Sequence, residues 1–283
     1  MSVRFILGPA GSGKTHRCLE ELRTLERQGR PAIFLVPEQS THSAERELLA
    51  DPALPGLRHV QILSFTRLAF RLREEAGVPE PPRIGDAART MLLRSVLARL
   101  PDETLGPLAP LRTRQGFLEE LGRFIGEVKA QGTLNFLDAV RGTGPGKLRA
   151  LGAVLEAYDA ARRDLGLVDP EAALHGLEPL VMARAGRLRQ TRLFVDGFLS
   201  WTRREREVLV ALARSGAPME IALCHEDGGR APFAPAGRTL ARMRELLAAS
   251  GVAEGPPIVL PARPTGAGRF AQAELVELER GLH

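Results

Sequence analysis

Hydrophobic and polar residues follow two different rhythms along the chain. In the first 75 residues, short and nearly unbroken apolar runs at 3–7, 32–36 and 60–63 are separated by longer stretches, the clearest of them amphipathic at 15–28. Runs this short and apolar on both faces predict strands of a parallel sheet covered by helices on both sides. Strands alternating with helices make an α/β layer architecture. From Gly77 the rhythm changes. Between a proline-rich break at 79–82 and about residue 191, apolar residues recur at helical spacing, as in Met91, Leu92 and Val96 or Phe117, Leu121, Phe124, Ile125 and Val128. No strand is predicted there. Proline and glycine punctuate this stretch at 101–110 and 142–146, and Asp169 before Pro170 predicts a helix start capped by the Asp169 side chain. The strand pattern returns at 193–195, followed by a helix at 203–213 and a strand at 219–223. A Gly/Pro-rich loop at 226–237 and helices at 238–249 and 271–282 complete the chain. The pattern predicts one α/β core from residues 1–77 and 192–283, interrupted by an all-helical insertion at 78–191.

Composition narrows the class. Of 283 residues, 44% are hydrophobic and 26% charged, which is enough to bury a core and excludes a disordered or collagen-like chain. No stretch approaches the roughly 18 apolar residues of a membrane span, and the N-terminus runs into Val3 without a charged segment and cleavage site. A cytoplasmic chain with no membrane partner is expected. Cys18 and Cys224 are too few and too far apart for a disulfide framework or a Cys-based metal site.

The formal net charge of +5 points to an acidic partner such as nucleic acid. Only Lys14, Lys129 and Lys147 among the 39 basic residues are lysine, so an arginine-rich, GC-biased coding sequence explains the same sum. The charge is densest at residues 184–206, where seven arginines meet only Asp196 and Glu205 around Trp201. That is a composition for binding phosphates and stacking bases. A solvated helix face with Trp201 in the core accounts for it equally.

The most specific chemistry lies at residues 8–15, Gly-Pro-Ala-Gly-Ser-Gly-Lys-Thr, between a predicted strand and a predicted helix. This is the P-loop pattern in the context its mechanism requires. Gly8, Gly11 and Gly13 let the backbone curl so that N–H groups, including that of Ser12, face phosphates at a helix N-terminus, and Lys14 neutralises the β/γ oxygens. Thr15 is then a Mg²⁺ ligand. Asp196, ending the strand at 193–195, is the matching acid for the magnesium site and with Lys14 forms the catalytic pair. The residue after it, where a water-orienting glutamate stands in helicase-type ATPases, is Gly197. Slow hydrolysis is expected. Residues 224–227, Cys-His-Glu-Asp, end the following strand and fit either a γ-phosphate sensor or a polar loop.

Taken in order, the P-loop, then Ile33-Phe34-Leu35-Val36-Pro37-Glu38-Gln39, then Ile62-Leu63-Ser64-Phe65-Thr66-Arg67-Leu68-Ala69, the helical insertion and Phe194-Val195-Asp196-Gly197-Phe198, the chain resembles the N-terminal part of the AddB family. That family supplies the second of the two subunits in bacterial AddAB helicase–nucleases, relatives of RecBCD. The resemblance implies a RecA-like, UvrD-type P-loop domain (1A) carrying a helical insertion (1B), with ATP and Mg²⁺ as cofactors. It implies a partner, an AddA-like helicase–nuclease subunit, and a role in recombinational repair of double-strand breaks. It also implies a helicase-like surface that binds single-stranded DNA and recognises a Chi-like sequence, through Gln39, Thr41, Phe65, Arg67, Phe70 and Phe198. A second helicase domain and a nuclease domain would follow residue 283. An active UvrD-type ATPase or helicase is the rival expectation, and a P-loop kinase for a small molecule a more distant one.

Overall fold

The computed structural model describes residues 3–80, 82–131, 146–225 and 234–261. The helix expected at 271–282 and most of the loop expected at 226–237 lie outside them. The chain divides into two compact units, one formed by residues 1–72, 176–201 and 205–283, the other by 73–175 and 202–204. Residues 176–191, part of the expected insertion, group with the first unit.

The first unit holds a six-stranded, all-parallel sheet: β1 (Val3–Gly8), β2 (Ala32–Leu35), β3 (Val60–Leu63), β4 (Arg192–Val195), β5 (Met219–Cys224) and β6 (Ile258–Val259), in the order β3-β2-β4-β5-β1-β6. The five strands expected from apolar runs are present. The sixth is two residues long, too short to leave a pattern. Helices α1 (Lys14–Arg27), α2 (Thr41–Leu48) and α3 (Phe65–Glu75) follow β1, β2 and β3. Leu19, Leu22 and Leu25 of α1, with Leu48 of α2, cover Ile6, Phe34 and Phe194 in one buried cluster. Because every strand is parallel, all carboxyl ends lie on one edge of the sheet, where open α/β folds place their ligands.

A single carboxylate ties the start of β3 in place. Glu26, near the end of α1, accepts hydrogen bonds from the backbone N–H groups of Arg58, His59 and Val60 at 2.8, 3.0 and 2.7 Å. Burial opposes its ionisation, but the three N–H donors win and hold its carboxyl below the usual range.

The second unit contains α4 (Asp86–Arg99), α5 (Asp102–Leu105), α6 (Gln115–Gln131) and α7 (Gly146–Asp164). Leu93, Leu97, Leu118, Leu121, Ile125, Val154, Leu155 and Tyr158 form its apolar core. Asp169 precedes Pro170, which opens a short 3-10 helix, Pro170–Leu174, but its side chain makes no capping bond. The carboxylate is buried instead among the Tyr158 hydroxyl at 2.6 Å, the Lys129 ammonium at 2.9 Å and Arg162 Nε at 2.9 Å. This corrects the expected cap: a carboxylate only 3% exposed satisfies its charge against cations rather than against amides. Back in the first unit, α8 (Leu177–Ala183) and α9 (Ala185–Leu188) precede β4, and α10 (Arg203–Arg214) precedes β5. Helix α11 (Ala234–Ala249) starts inside the expected loop, with Pro235 and Gly237 in its first turn. A proline there removes no helical hydrogen bond, since first-turn N–H groups have no intrahelical acceptor.

Candidate functional site

The turn from β1 to α1 is bent by Gly11 and Gly13, at φ 77° and 95°, a region side chains other than glycine rarely adopt. At Gly8 a Cβ would lie 2.6 Å from both the Leu260 carbonyl oxygen and Ser12 Oγ, so the close approach of the loop requires glycine. Lys14, the first residue of α1, is buried and turned back over the loop. Its Nζ donates to the carbonyls of Gly8 and Pro9, each at 2.7 Å, and to Ser12 Oγ at 3.3 Å. Burial lowers its pKa, opposed by the neighbouring Cys224 and Asp196.

Asp196 follows β4 and is 7% exposed. Burial raises its carboxyl pKa, while hydrogen bonds from the Thr15 side chain and the Gly197 N–H, and the Lys14 charge, favour the ionised form. Strand β5 lies between β1 and β4, so Cys224 pairs in register with Gly8, and the His225 N–H donates to the Gly8 carbonyl at 3.1 Å. Of the four residues at 224–227, Cys224 and His225 border the loop; Glu226 and Asp227 lie outside the described residues.

Lys14 and Thr15 therefore converge with Asp196, some 180 residues away in sequence, at the carboxyl edge of the sheet. A hydroxyl hydrogen-bonded to a carboxylate is a hard oxygen donor pair of the kind Mg²⁺ takes. An ammonium over a glycine turn at a helix N-terminus suits phosphate oxygens. The residues present fit Mg²⁺ and a nucleotide polyphosphate. Gly197 has a structural reason to be glycine: its φ is +84° and a Cβ would sit 3.1 Å from Pro37 Cδ.

Of the six residues assigned to DNA by resemblance, Gln39 and Phe198 lie in the turns after β2 and β4, Thr41 opens α2, and Phe65, Arg67 and Phe70 lie in the first two turns of α3, which follows β3; the sheet order makes these strand ends neighbours. Their exposures differ. Phe65 is 5% exposed and meets Phe198 edge to face at 5.4 Å between centroids, with Phe198 in turn 6.2 Å from Trp201. Trp201 is 3% exposed, which places it in the core. Thr41 is buried and its hydroxyl donates to the Glu38 carbonyl at 2.9 Å. Gln39 and Arg67 are exposed, and Phe70 stands out at 49%.

Glu38, absent from the expected set, joins two of these turns. Buried Ser64 donates its hydroxyl to Glu38 Oε2 while accepting the Arg67 N–H at 3.3 Å, and so caps α3. Glu38 Oε1 is 3.5 Å from Arg67 Nε. Only the cap left a local signal, Ser64 before an amphipathic run; the Glu38 contact spans 26 residues.

Comparison with known proteins shows the family. The family model described as ADDB, N-terminal matches residues 5–279. The chain is 36% identical over 298 aligned residues to an ATP-dependent helicase/deoxyribonuclease subunit of Moorella thermoacetica, covering 96% of the chain and 25% of that protein. A Desulforudis audaxviator protein of the same name is 38% identical over 99% of the chain and 25% of its own length. For the namesake in Symbiobacterium thermophilum the values are 34%, 96% and 25%. The chain thus spans about a quarter of the curated relatives it matches. With a family match over almost its whole length and relatives 34–38% identical over nearly all of it, the chain belongs to the AddB N-terminal family.

Proposed function

We propose that the chain is the first, RecA-like helicase domain of an AddB-type subunit, with residues 1–77 and 192–283 as the P-loop core and 78–191 as the helical insertion. In this reading the turn from Gly8 to Thr15 binds ATP. The observation that carries it is the convergence of Lys14, Thr15 and Asp196 on one loop, with Thr15 hydrogen-bonded to Asp196. Gly11 and Gly13 present backbone N–H groups to the phosphates, the Ser12 N–H, which donates to the Pro9 carbonyl at 3.3 Å, and Lys14 exchange the loop carbonyls for phosphate oxygens, and Thr15 with Asp196 holds the magnesium shell. Mg²⁺, when bound, supplies charge neutralisation at the phosphate oxygens. Hydrolysis by this chain is weak or absent, because Gly197 carries no carboxylate to orient water. That glycine favours the nucleotide-binding reading over an active UvrD-type motor.

In the same reading, the turns after β2, β3 and β4 bind single-stranded DNA, with Gln39, Arg67 and Phe70 at the surface and Thr41, Phe65 and Phe198 shaping the platform beneath. The names of the relatives support ATP use and an AddA-like partner, and with them a cytoplasmic role in DNA repair. Among the described residues no helix is long and apolar enough to cross a membrane. Recognition of a Chi-like sequence would be the specific form of this DNA binding. Titration calorimetry with Mg·ADP tests the nucleotide site: the chain binds and Lys14→Ala does not. Equal affinity in both would remove the assignment.

A further inference from the structure

A carboxylate in the middle of a surface that meets DNA needs a reason, because it repels phosphates. Glu38 is such a group. It lies at the carboxyl end of the sheet, its side chain is 57% exposed, and it faces the Arg67 guanidinium, itself 60% exposed. It is also held in place. Ser64, 3% exposed, donates its one proton to Glu38 Oε2 and accepts the Arg67 N–H at the start of α3. The carboxylate therefore has a fixed position beside the first turn of a helix, and each of its oxygens keeps a lone pair for a further donor.

We propose that Glu38 and Arg67 together read the Watson–Crick edge of an unpaired guanine, which makes Glu38 a specificity-determining residue of the DNA surface. The inference rests on the single-stranded DNA reading given above. An ionised carboxylate only accepts hydrogen bonds. Guanine is the base that offers two donors side by side, N1–H and the N2 amino group, followed by the O6 acceptor. The two oxygens of Glu38 match the donors and the guanidinium of Arg67 matches O6. Cytosine and adenine each offer one amino donor beside an acceptor, and thymine only an imino donor between two carbonyls, so they satisfy the pair less well. Single-stranded bases present this edge freely, which duplex DNA does not.

Arg67 gains a second role from the pairing. In the free protein Glu38 partly neutralises it, which weakens indiscriminate contact with phosphates. A surface ion pair is weak and opens at little cost, so a guanine that satisfies Glu38 also releases Arg67. The carboxylate acts as a filter: bases that leave it without a donor are penalised by its charge.

The test measures fluorescence anisotropy of the chain with oligothymidylate carrying one central guanine, cytosine, adenine or thymine. Wild type binds the guanine oligomer roughly tenfold more tightly than all-thymine, the scale of one well-made base contact. Glu38→Gln retains an acceptor for Ser64, keeps the melting temperature, loses the guanine preference and binds all-thymine at least as tightly as wild type. Glu38→Ala repeats the binding pattern, with a lower melting temperature because the buried Ser64 hydroxyl loses its acceptor. A guanine preference unchanged in both variants, or a wild type that binds all four oligomers equally, overturns the proposal while leaving the DNA surface standing. Absence of binding to every oligomer by wild type removes the DNA reading, and this inference with it.

Discussion

The ring of Phe65 meets the ring of Phe198 edge to face, with centroids 5.4 Å apart and planes at 63°. One residue opens α3 after the third strand and the other follows the fourth, so a pair of aromatics distant in sequence packs two neighbouring strand ends together. Edge-to-face packing favours the positive rim of one ring against the face of the other. Phe65 is thus placed to shape the surface and Phe70 to touch what lies on it. Phe65→Ala is expected to cost about 3–5 kcal/mol, the usual loss for a buried phenylalanine. Phe70→Ala should leave denaturant unfolding within about 0.5 kcal/mol, as surface changes do, and weaken single-stranded DNA binding. An unfolding midpoint that falls for Phe70→Ala and not for Phe65→Ala would reverse the two roles.

Asp196 sets function against stability. Burial raises its pKa, so its ionised form is disfavoured in the fold. A group whose folded pKa is raised contributes most below its unfolded value and loses that contribution as pH rises through the folded one. At neutral pH the carboxylate is a cost. Asp196→Asn is expected to raise the melting temperature at pH 7, by a margin that shrinks toward pH 4, and to abolish the magnesium-dependent part of nucleotide affinity. Paired melts at the two pH values, with titrations with and without Mg²⁺, check both halves.

Restoring a glutamate after Asp196 should fail. Gly197 sits at φ +84°, and its Cβ would crowd Pro37 at 3.1 Å. A side chain in left-handed backbone costs roughly 1–2 kcal/mol before any clash is counted. Gly197→Glu is expected to destabilise the chain and leave ATP turnover at the wild-type level. A coupled assay showing a burst of activity with an unchanged melting temperature would contradict this.

Glu26 holds the start of β3 through three backbone N–H groups. Its folded pKa is depressed, so its contribution is present above the unfolded value of about 4.3 and lost as pH falls through the folded one. Glu26→Gln offers one carbonyl oxygen where two oxygens stood and turns a donor toward donors. The expected loss is about 1–3 kcal/mol at neutral pH, the cost of leaving a buried partner unsatisfied. Urea unfolding from pH 7 down to pH 3 should show a shallower acid decline in the variant than in wild type.

In the helical unit, Asp169 is the common partner of Lys129, Arg162 and Tyr158. Asp169→Ala takes the acceptor from the buried Tyr158 hydroxyl and leaves Lys129 and Arg162 with Asp159 as their carboxylate partner, so the expected cost is about 1–3 kcal/mol, that of a buried polar group left unsatisfied. Hydrogen exchange should rise across α4, α6 and α7. Unchanged protection there would mean the cations find other partners.

Much of the architecture is written locally. Apolar runs of four or five residues can only be satisfied by burial on both faces, so β1 to β5 are legible one at a time. The glycines at 11 and 13 before Lys14 announce a tight strand-to-helix turn because each meets a requirement of its own backbone, whereas Gly8 answers to Leu260 far along the chain. Asp196 is legible as the polar end of an apolar strand. Other features depend on which strands become neighbours, and no local pattern records that. The order β3-β2-β4-β5-β1-β6 sets Cys224 beside Gly8 and brings the turns after β2, β3 and β4 together. It turns Phe65 inward onto Phe198, although an aromatic in a polar turn reads equally well as exposed. It sets Glu38 against Ser64 across 26 residues and makes Gly197 answer to Pro37. The same holds for Asp169, whose position predicts a cap and whose surroundings supply three stronger partners. The sequence determined the elements and the loop chemistry, since these follow from propensity and backbone geometry within a few residues. Only the tertiary structure decided which side chains reach the surface and which face each other, because burial and charge pairing are set by neighbours far away in the chain.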